Sequence, residues 1–167
     1  MGLLSIGMVR EDGKEYYAIH KDAYIIQAAA ENWWLNTNVL KYFPLEQPID
    51  SKAPSWDQFH PDYKHVKNKD KIAIEVANFI REVPSPSLWA WFAAYDHLML
   101  SQLYGRMLDI PNGIPQRTND VAQEAERLKV RVPSVTDSRR HLALDDAREV
   151  KFRREWLKEY ENVHNFS

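Results

Sequence analysis

The run Leu88-Trp89-Ala90-Trp91-Phe92 is apolar at every position, so a strand built from it has no face that can be left to water. Such a strand must lie between two covering layers. In a chain of 167 residues, 44% hydrophobic with 6 Trp and 8 Tyr, the layers within reach are helices from the flanking sequence. We therefore expect one α/β domain over residues 1–167, a mixed sheet flanked by helices, with Leu88 to Phe92 as its central strand.

The rest of the chain supplies elements for those layers. Leu4, Ile6 and Met8 alternate with Ser5 and Gly7, and Asp12-Gly13 gives a tight turn before Tyr16 to His20, which together read as a β-hairpin. Residues 23–42 read as irregular helix, with Trp33, Trp34 and Leu35 expected to pack on the sheet because they are too apolar for water. Pro44, Pro48, Pro54 and Pro61 among polar residues mark 44–69 as a long surface loop. Ile72, Val76, Phe79 and Ile80 then recur at helical spacing until Pro84 and Pro86 stop the element. Residues 95–104 read as a helix with Leu98, Met99 and Leu103 inward. After Pro111-Asn112-Gly113, residues 114–119 read as a short strand, and Thr118, Asn119 or Asp120 caps a helix running toward Leu128. A turn-rich stretch around Pro133 leads to His141, which precedes or opens a final helix to about Tyr160 with Leu144, Ala147, Val150, Phe152 and Trp156 as its apolar positions.

Composition narrows the chemistry. With no cysteine, disulfides, thiolate nucleophiles and Cys-ligated zinc are excluded, and any metal is held by oxygen or imidazole. No apolar run approaches the roughly 20 residues of a membrane span, the start lacks a secretory pattern, and Ile6 breaks the myristoylation pattern, so a cytoplasmic chain with no membrane partner is expected. A net charge of -2 argues against extended gripping of a nucleic-acid backbone but leaves room for a short hold on one strand end. Between Arg127 and Lys158, ten Lys and Arg outnumber the five acids Asp137, Asp145, Asp146, Glu149 and Glu155. That region is either a salt-bridged solvated helix or a phosphate-facing surface, and charge alone does not separate the two.

Two segments carry candidate chemistry. Asp96 follows the apolar strand in Tyr95-Asp96-His97 and falls in a helix first turn, where the dipole favours a carboxylate whether or not it has a further role. His141-x-Ala143-x-x-Asp146 places an imidazole and a carboxylate at a helix start, an arrangement able to serve metal-dependent phosphodiester hydrolysis.

These segments, with Ser5-Ile6-Gly7-Met8-Val9, Glu11-Asp12-Gly13, Glu15-Tyr16-Tyr17, Trp89-Ala90-Trp91 and Ala147-Arg148, resemble a bacterial ribonuclease T-like subfamily of the DEDD-type (DEDDh) 3′-5′ exoribonucleases over nearly the whole chain. The resemblance implies an RNase H-like fold and hydrolysis of phosphodiester bonds at single-stranded RNA 3′ ends, with DNA as a second substrate class. It implies two Mg²⁺ or Mn²⁺ ions among four carboxylates, Asp96 and Asp146 as metal ligands, and His141 as the general base. Asp145 is the nearest rival to Asp146, set aside on the family's His-to-Asp spacing and expected to face solvent. Tyr95, His97 and Trp91 are the candidates for contacting the terminal nucleotide by stacking. A homodimer is the family-level expectation, and the alternative reading is a non-catalytic relative that binds nucleic acid or protein.

One departure stands out. The family's first motif, Asp-x-Glu on a strand before the one that reads Leu4-Ser5-Ile6-Gly7 here, has no counterpart, and Glu11 and Asp12 fall in the hairpin turn. In the family fold that strand lies between the hairpin and Leu88 to Phe92, so its absence would strand backbone donors and acceptors on both sides. Three explanations are open: a start internal to a longer gene, which we favour; a hairpin shifted to pair with Leu88 to Phe92; or a strand supplied by another chain.

Overall fold

A computed structural model of the chain describes residues 2–135 and 139–164. Strands β1 (Ser5–Val9) and β2 (Glu15–His20) form the expected antiparallel hairpin, in register from Ser5 opposite Ile19 to Val9 opposite Glu15. Gly13 takes the positive φ the turn needs, and Asp12 Oδ1 accepts from the Lys14 amide at 3.0 Å.

Residues 23–42 divide into α1 (Ala23–Glu31), the short α2 (Trp33–Asn38) and a turn of 3₁₀ helix, because Asn32 ends the first helix and caps the second through the Leu35 amide. The expectation that both tryptophans pack on the sheet is corrected here. Trp33 is 76% and Trp34 45% exposed, since successive residues of a helix point about 100° apart and Leu35 takes the inward position. The 44–69 stretch is less structureless than its prolines suggest. It holds a bridge between Leu45 and Trp56, a 3₁₀ turn over Pro61–His65, and strand β3 (Val66–Lys67), which adds to β2 in parallel.

Helix α3 (Lys69–Arg81) buries Ile72, Val76, Phe79 and Ile80 as its spacing predicts, Ile72, Val76 and Ile80 in a cluster with Ala18 of β2 and Leu100 and Leu103 of α4 (Ala93–Tyr104), and Phe79 beside Tyr16 of β2. Leu98 is half exposed instead of inward; the buried positions of α4 are Ala93, Leu100 and Leu103. Strand β4 is confined to Leu88–Ala90 and pairs in parallel with β5 (Thr118–Asp120), which leads directly into α5 (Val121–Leu128). The long last helix α6 spans Ala143–His164 and buries Leu157, whereas Phe152 is 39% exposed.

The architecture is mixed α/β, with sheets flanked by helices and consistent with an RNase H-like exonuclease arrangement. Leu88 packs toward the core cluster beneath α3 and α4, and Trp89 toward the cluster of α5 and α6, so both faces of β4 are covered as its composition demands. It is not, however, central in hydrogen-bonding terms. Among the described residues the strands form two sheets, β1-β2-β3 and β4-β5, so the hairpin has not moved across to pair with β4. Trp91 and Phe92 leave the strand because Phe92 adopts φ +57°, a left-handed turn into α4. No helix among the described residues is long and apolar enough to cross a membrane.

Candidate active site

Asp96 and Asp146 reach one region from different elements. Asp96 stands in the first turn of α4 and Asp146 in the first turn of α6, and the charge of Asp146 acts on Asp96. Much of Asp96 is exposed, yet its carboxyl end lies close enough to protein that burial raises its pKa above the ordinary carboxylate value; a bond from its own backbone opposes this, and the charges of Asp146 and Asp120 add to it. The Asp146 carboxyl is raised as well, first by burial. A bond from the His141 amide and the His141 charge oppose the rise, and Glu149 and Asp145 repel.

Asp120 fixes the turn that delivers Asp96. Its Oδ1 accepts from Ala122 at 2.8 Å and Gln123 at 3.4 Å at the head of α5, and its carboxylate also accepts from the Phe92 and Ala93 amides at 3.3 and 3.0 Å at the head of α4. One side chain thus caps two helices, which the register of Ala90 opposite Asp120 makes possible. Sequence had named it only as one of three caps for α5. Asp120→Ala removes both caps, and at about 1 kcal/mol each the melting temperature should fall by roughly 4–8 °C. A thermal melt that shifts by less than about 2 °C would show that the left-handed turn holds itself.

His141 precedes α6 with φ +72°, and its amide donates to Asp146 Oδ1 at 3.1 Å. The exposed imidazole meets Trp34 edge to face, ring centres 4.8 Å apart and planes at 69°. Sequence reasoning missed Trp34; its signal was an aromatic pair too large for a short helix to bury on one side. It missed Gly7 too, although a glycine inside a strand pattern often marks close backbone approach. A β-carbon on Gly7 would lie 2.3 Å from the Ala143 carbonyl oxygen and 2.5 Å from the Leu144 nitrogen, so α6 begins directly against β1 there.

The three stacking candidates separate. Tyr95 is 77% exposed beside Asp96 on α4. His97 is half-buried, with Nδ1 3.0 Å from Thr118 Oγ1. Trp91 is partly buried, with the Arg153 guanidinium 4.1 Å from its ring centre and Phe92 against its edge.

The basic stretch is largely self-neutralised. Arg127 pairs with Glu124 and Glu161, Lys151 with Glu155, Arg153 with Glu149, Arg148 with Glu15 and Asp145, and Arg139 with Asp145, while Arg154 lies over the Trp89 ring. Asp137 lies outside the described residues. Asp145, expected in solvent, is instead 8% exposed between Arg139 and Arg148, because α6 turns that position toward the hairpin. Among the described residues no three His, Asp or Glu side chains stand close enough to hold a metal ion.

No protein-family model matches the chain. Two curated relatives do, both named 3′-5′ exoribonuclease, from the CDC 1551 / Oshkosh and ATCC 25618 / H37Rv strains of Mycobacterium tuberculosis. Each is 34% identical over 123 residues, covering 72% of this chain and 62% of the relative. The chain therefore spans less than two thirds of the length of the curated relatives it matches.

Proposed function

We propose that this chain belongs to a metal-dependent 3′-5′ exoribonuclease of the DEDDh type, acting on single-stranded RNA ends. The observation that carries the reading is the placement of Asp96 and Asp146 in the first turns of two helices far apart in sequence, within electrostatic reach of one another, with His141 bonded through its amide to the second of them. The likeness to relatives named 3′-5′ exoribonuclease supports it.

Two carboxylates lifted above their ordinary pKa by burial and neighbouring negative charge suit a cation, and an oxygen-only donor pair suits Mg²⁺ or Mn²⁺ over zinc. Bound there, divalent ions would polarise the scissile phosphate and activate water. The residues of this chain do the rest. Asp96 and Asp146 would hold the ions in place, and the His141 ring, exposed beside Asp146, would take the proton of the attacking water, a task for which imidazole suits near neutrality. Trp34 braces that ring and, with the exposed Tyr95, offers aromatic surface to the bases at the 3′ end. With six cations of the 127–158 stretch already engaged, the grip on substrate rests on stacking and metal more than on phosphate pairing.

Trp34→Ala should lower kcat/KM on a short single-stranded RNA by roughly 5- to 150-fold, the 1–3 kcal/mol of one base stack; an unchanged value would remove Trp34 from the substrate path. The reading itself is tested by following 5′-labelled single-stranded RNA with Mn²⁺, with EDTA, and with Asp146→Asn. Shortening from the 3′ end that needs both metal and Asp146 is expected, and a folded, soluble sample that leaves the RNA intact overturns the reading for this chain.

A further inference from the structure

We infer that Asp145 is a positioning residue for His141, acting through a line of ion pairs, Arg139–Asp145–Arg148–Glu15, that closes the turn holding His141 and Asp146. The inference rests on the role proposed above for His141. Asp145 adjoins Asp146 yet points elsewhere, and both of its oxygens are used: Oδ2 accepts from Arg139 Nε at 2.8 Å and Oδ1 from Arg148 Nη1 at 2.7 Å. Arg148 also forks onto Glu15, Nε to Oε1 and Nη2 to Oε2, both at 2.7 Å. The line therefore runs from the residue two before His141, through the first turn of α6, to strand β2.

What it closes is a strained segment. His141 carries a β-carbon at φ +72°, a costly conformation that persists only where the surroundings over-determine it. Backbone bonds supply part of that constraint, from the Leu142 amide to the Arg139 carbonyl and from the His141 amide to Asp146. The Arg139–Asp145 pair is the side-chain tie that joins the chain before His141 to the chain after it. Both oxygens of the Asp145 carboxylate are thus held by guanidinium groups, one from each side of the turn. Removing one partner leaves the other charge half desolvated and the turn free to open. The ring then loses its place against Trp34 while Asp146, anchored in the helix, keeps its own.

The test reads the ring directly. Histidine side-chain NMR of the whole chain is compared for wild type, Trp34→Leu, Arg139→Gln and Asp145→Asn. The signal that moves in Trp34→Leu is His141, shifted by the indole ring current. In Arg139→Gln and Asp145→Asn that shift should fall by about half or more, and kcat on labelled RNA should fall about 10-fold with KM little changed, the scale of a lost outer-shell partner. An unchanged His141 shift in Arg139→Gln overturns the inference. That variant decides if Asp145→Asn does not fold, because Arg139 is half exposed and its loss leaves the core intact. A wild-type sample that shows the Trp34-dependent shift but leaves RNA intact defeats the proposed function, and the NMR comparison still decides the positioning.

Discussion

Gly7→Ala should cost the protein more than any other single-methyl change, because the new carbon would lie 2.3 Å from the Ala143 carbonyl oxygen and 2.4 Å from its carbonyl carbon. Both are backbone atoms, so no rotamer change relieves the overlap. The start of α6 must lift off β1, and Asp146 in its first turn moves with it. Overpacking of this kind costs roughly 1–3 kcal/mol, which in a chain of this size lowers the melting temperature by about 2–12 °C. The activity loss should exceed the stability loss, since a displacement of about 1 Å at a reacting centre can cost on the order of 100-fold. Melting and RNA hydrolysis measured on the same Gly7→Ala sample check this; hydrolysis at wild-type rate would mean that α6 does not sit on Gly7 in solution.

Asp96→Asn and Asp146→Asn should do the opposite to stability while abolishing function. Both carboxyls have folded-state pKa values above the ordinary one, so the folded protein holds those protons more tightly than the unfolded chain does. The stabilising contribution of such a group is fully present below the unfolded pKa and is lost as pH rises through the folded pKa. At neutral pH the ionised pair is therefore a liability that an amide removes. Without metal at pH 7, each Asn variant should melt higher than wild type, and the gap should close as pH falls and the wild-type acids take up protons. Hydrolysis should drop by more than about 100-fold, beyond what outer-shell changes around a metal site cost. Adding Mn²⁺ should raise the melting temperature of wild type alone and reverse the order. Variants that melt lower than wild type in EDTA would mean that these acids are structural ligands of the turns and not a strained pair awaiting a cation.

Where sequence reasoning succeeded, the reason was local. The hairpin followed from strict alternation around Asp12-Gly13, α3 from apolar residues spaced three and four apart between Asn68 and Pro84, and the double burial of β4 from a run with no polar position. Where it failed, the deciding partner was distant. Nothing in Leu88 to Phe92 says that Asp120 will draw the Phe92 and Ala93 amides into a turn and end the strand at Ala90. Leu98 and Leu100 are equally apolar, and only the position of α3 selects Leu100 for the core. Asp145 and Asp146 are the same residue side by side, and the hairpin's Glu15, through Arg148, decides which of them is buried in ion pairs.

The candidate site was legible as residue types and not as an assembly. Asp96 after a strand, and His141 with Asp146 at a helix start, could be named from spacing because each depends on its own few neighbours. Trp34 against His141, Asp120 beneath Asp96 and Gly7 under α6 could not, since each is a contact between segments that chain order leaves far apart. The sequence by itself determined the α/β class, the hairpin, the amphipathic face of α3 and the absence of thiolate chemistry, because periodicity and composition act over a few residues. The tertiary structure alone decided that Asp145 is neutralised by arginine, that Asp120 caps two helices and that Trp34 lies against the histidine, because burial and charge pairing are properties of the space that several segments enclose.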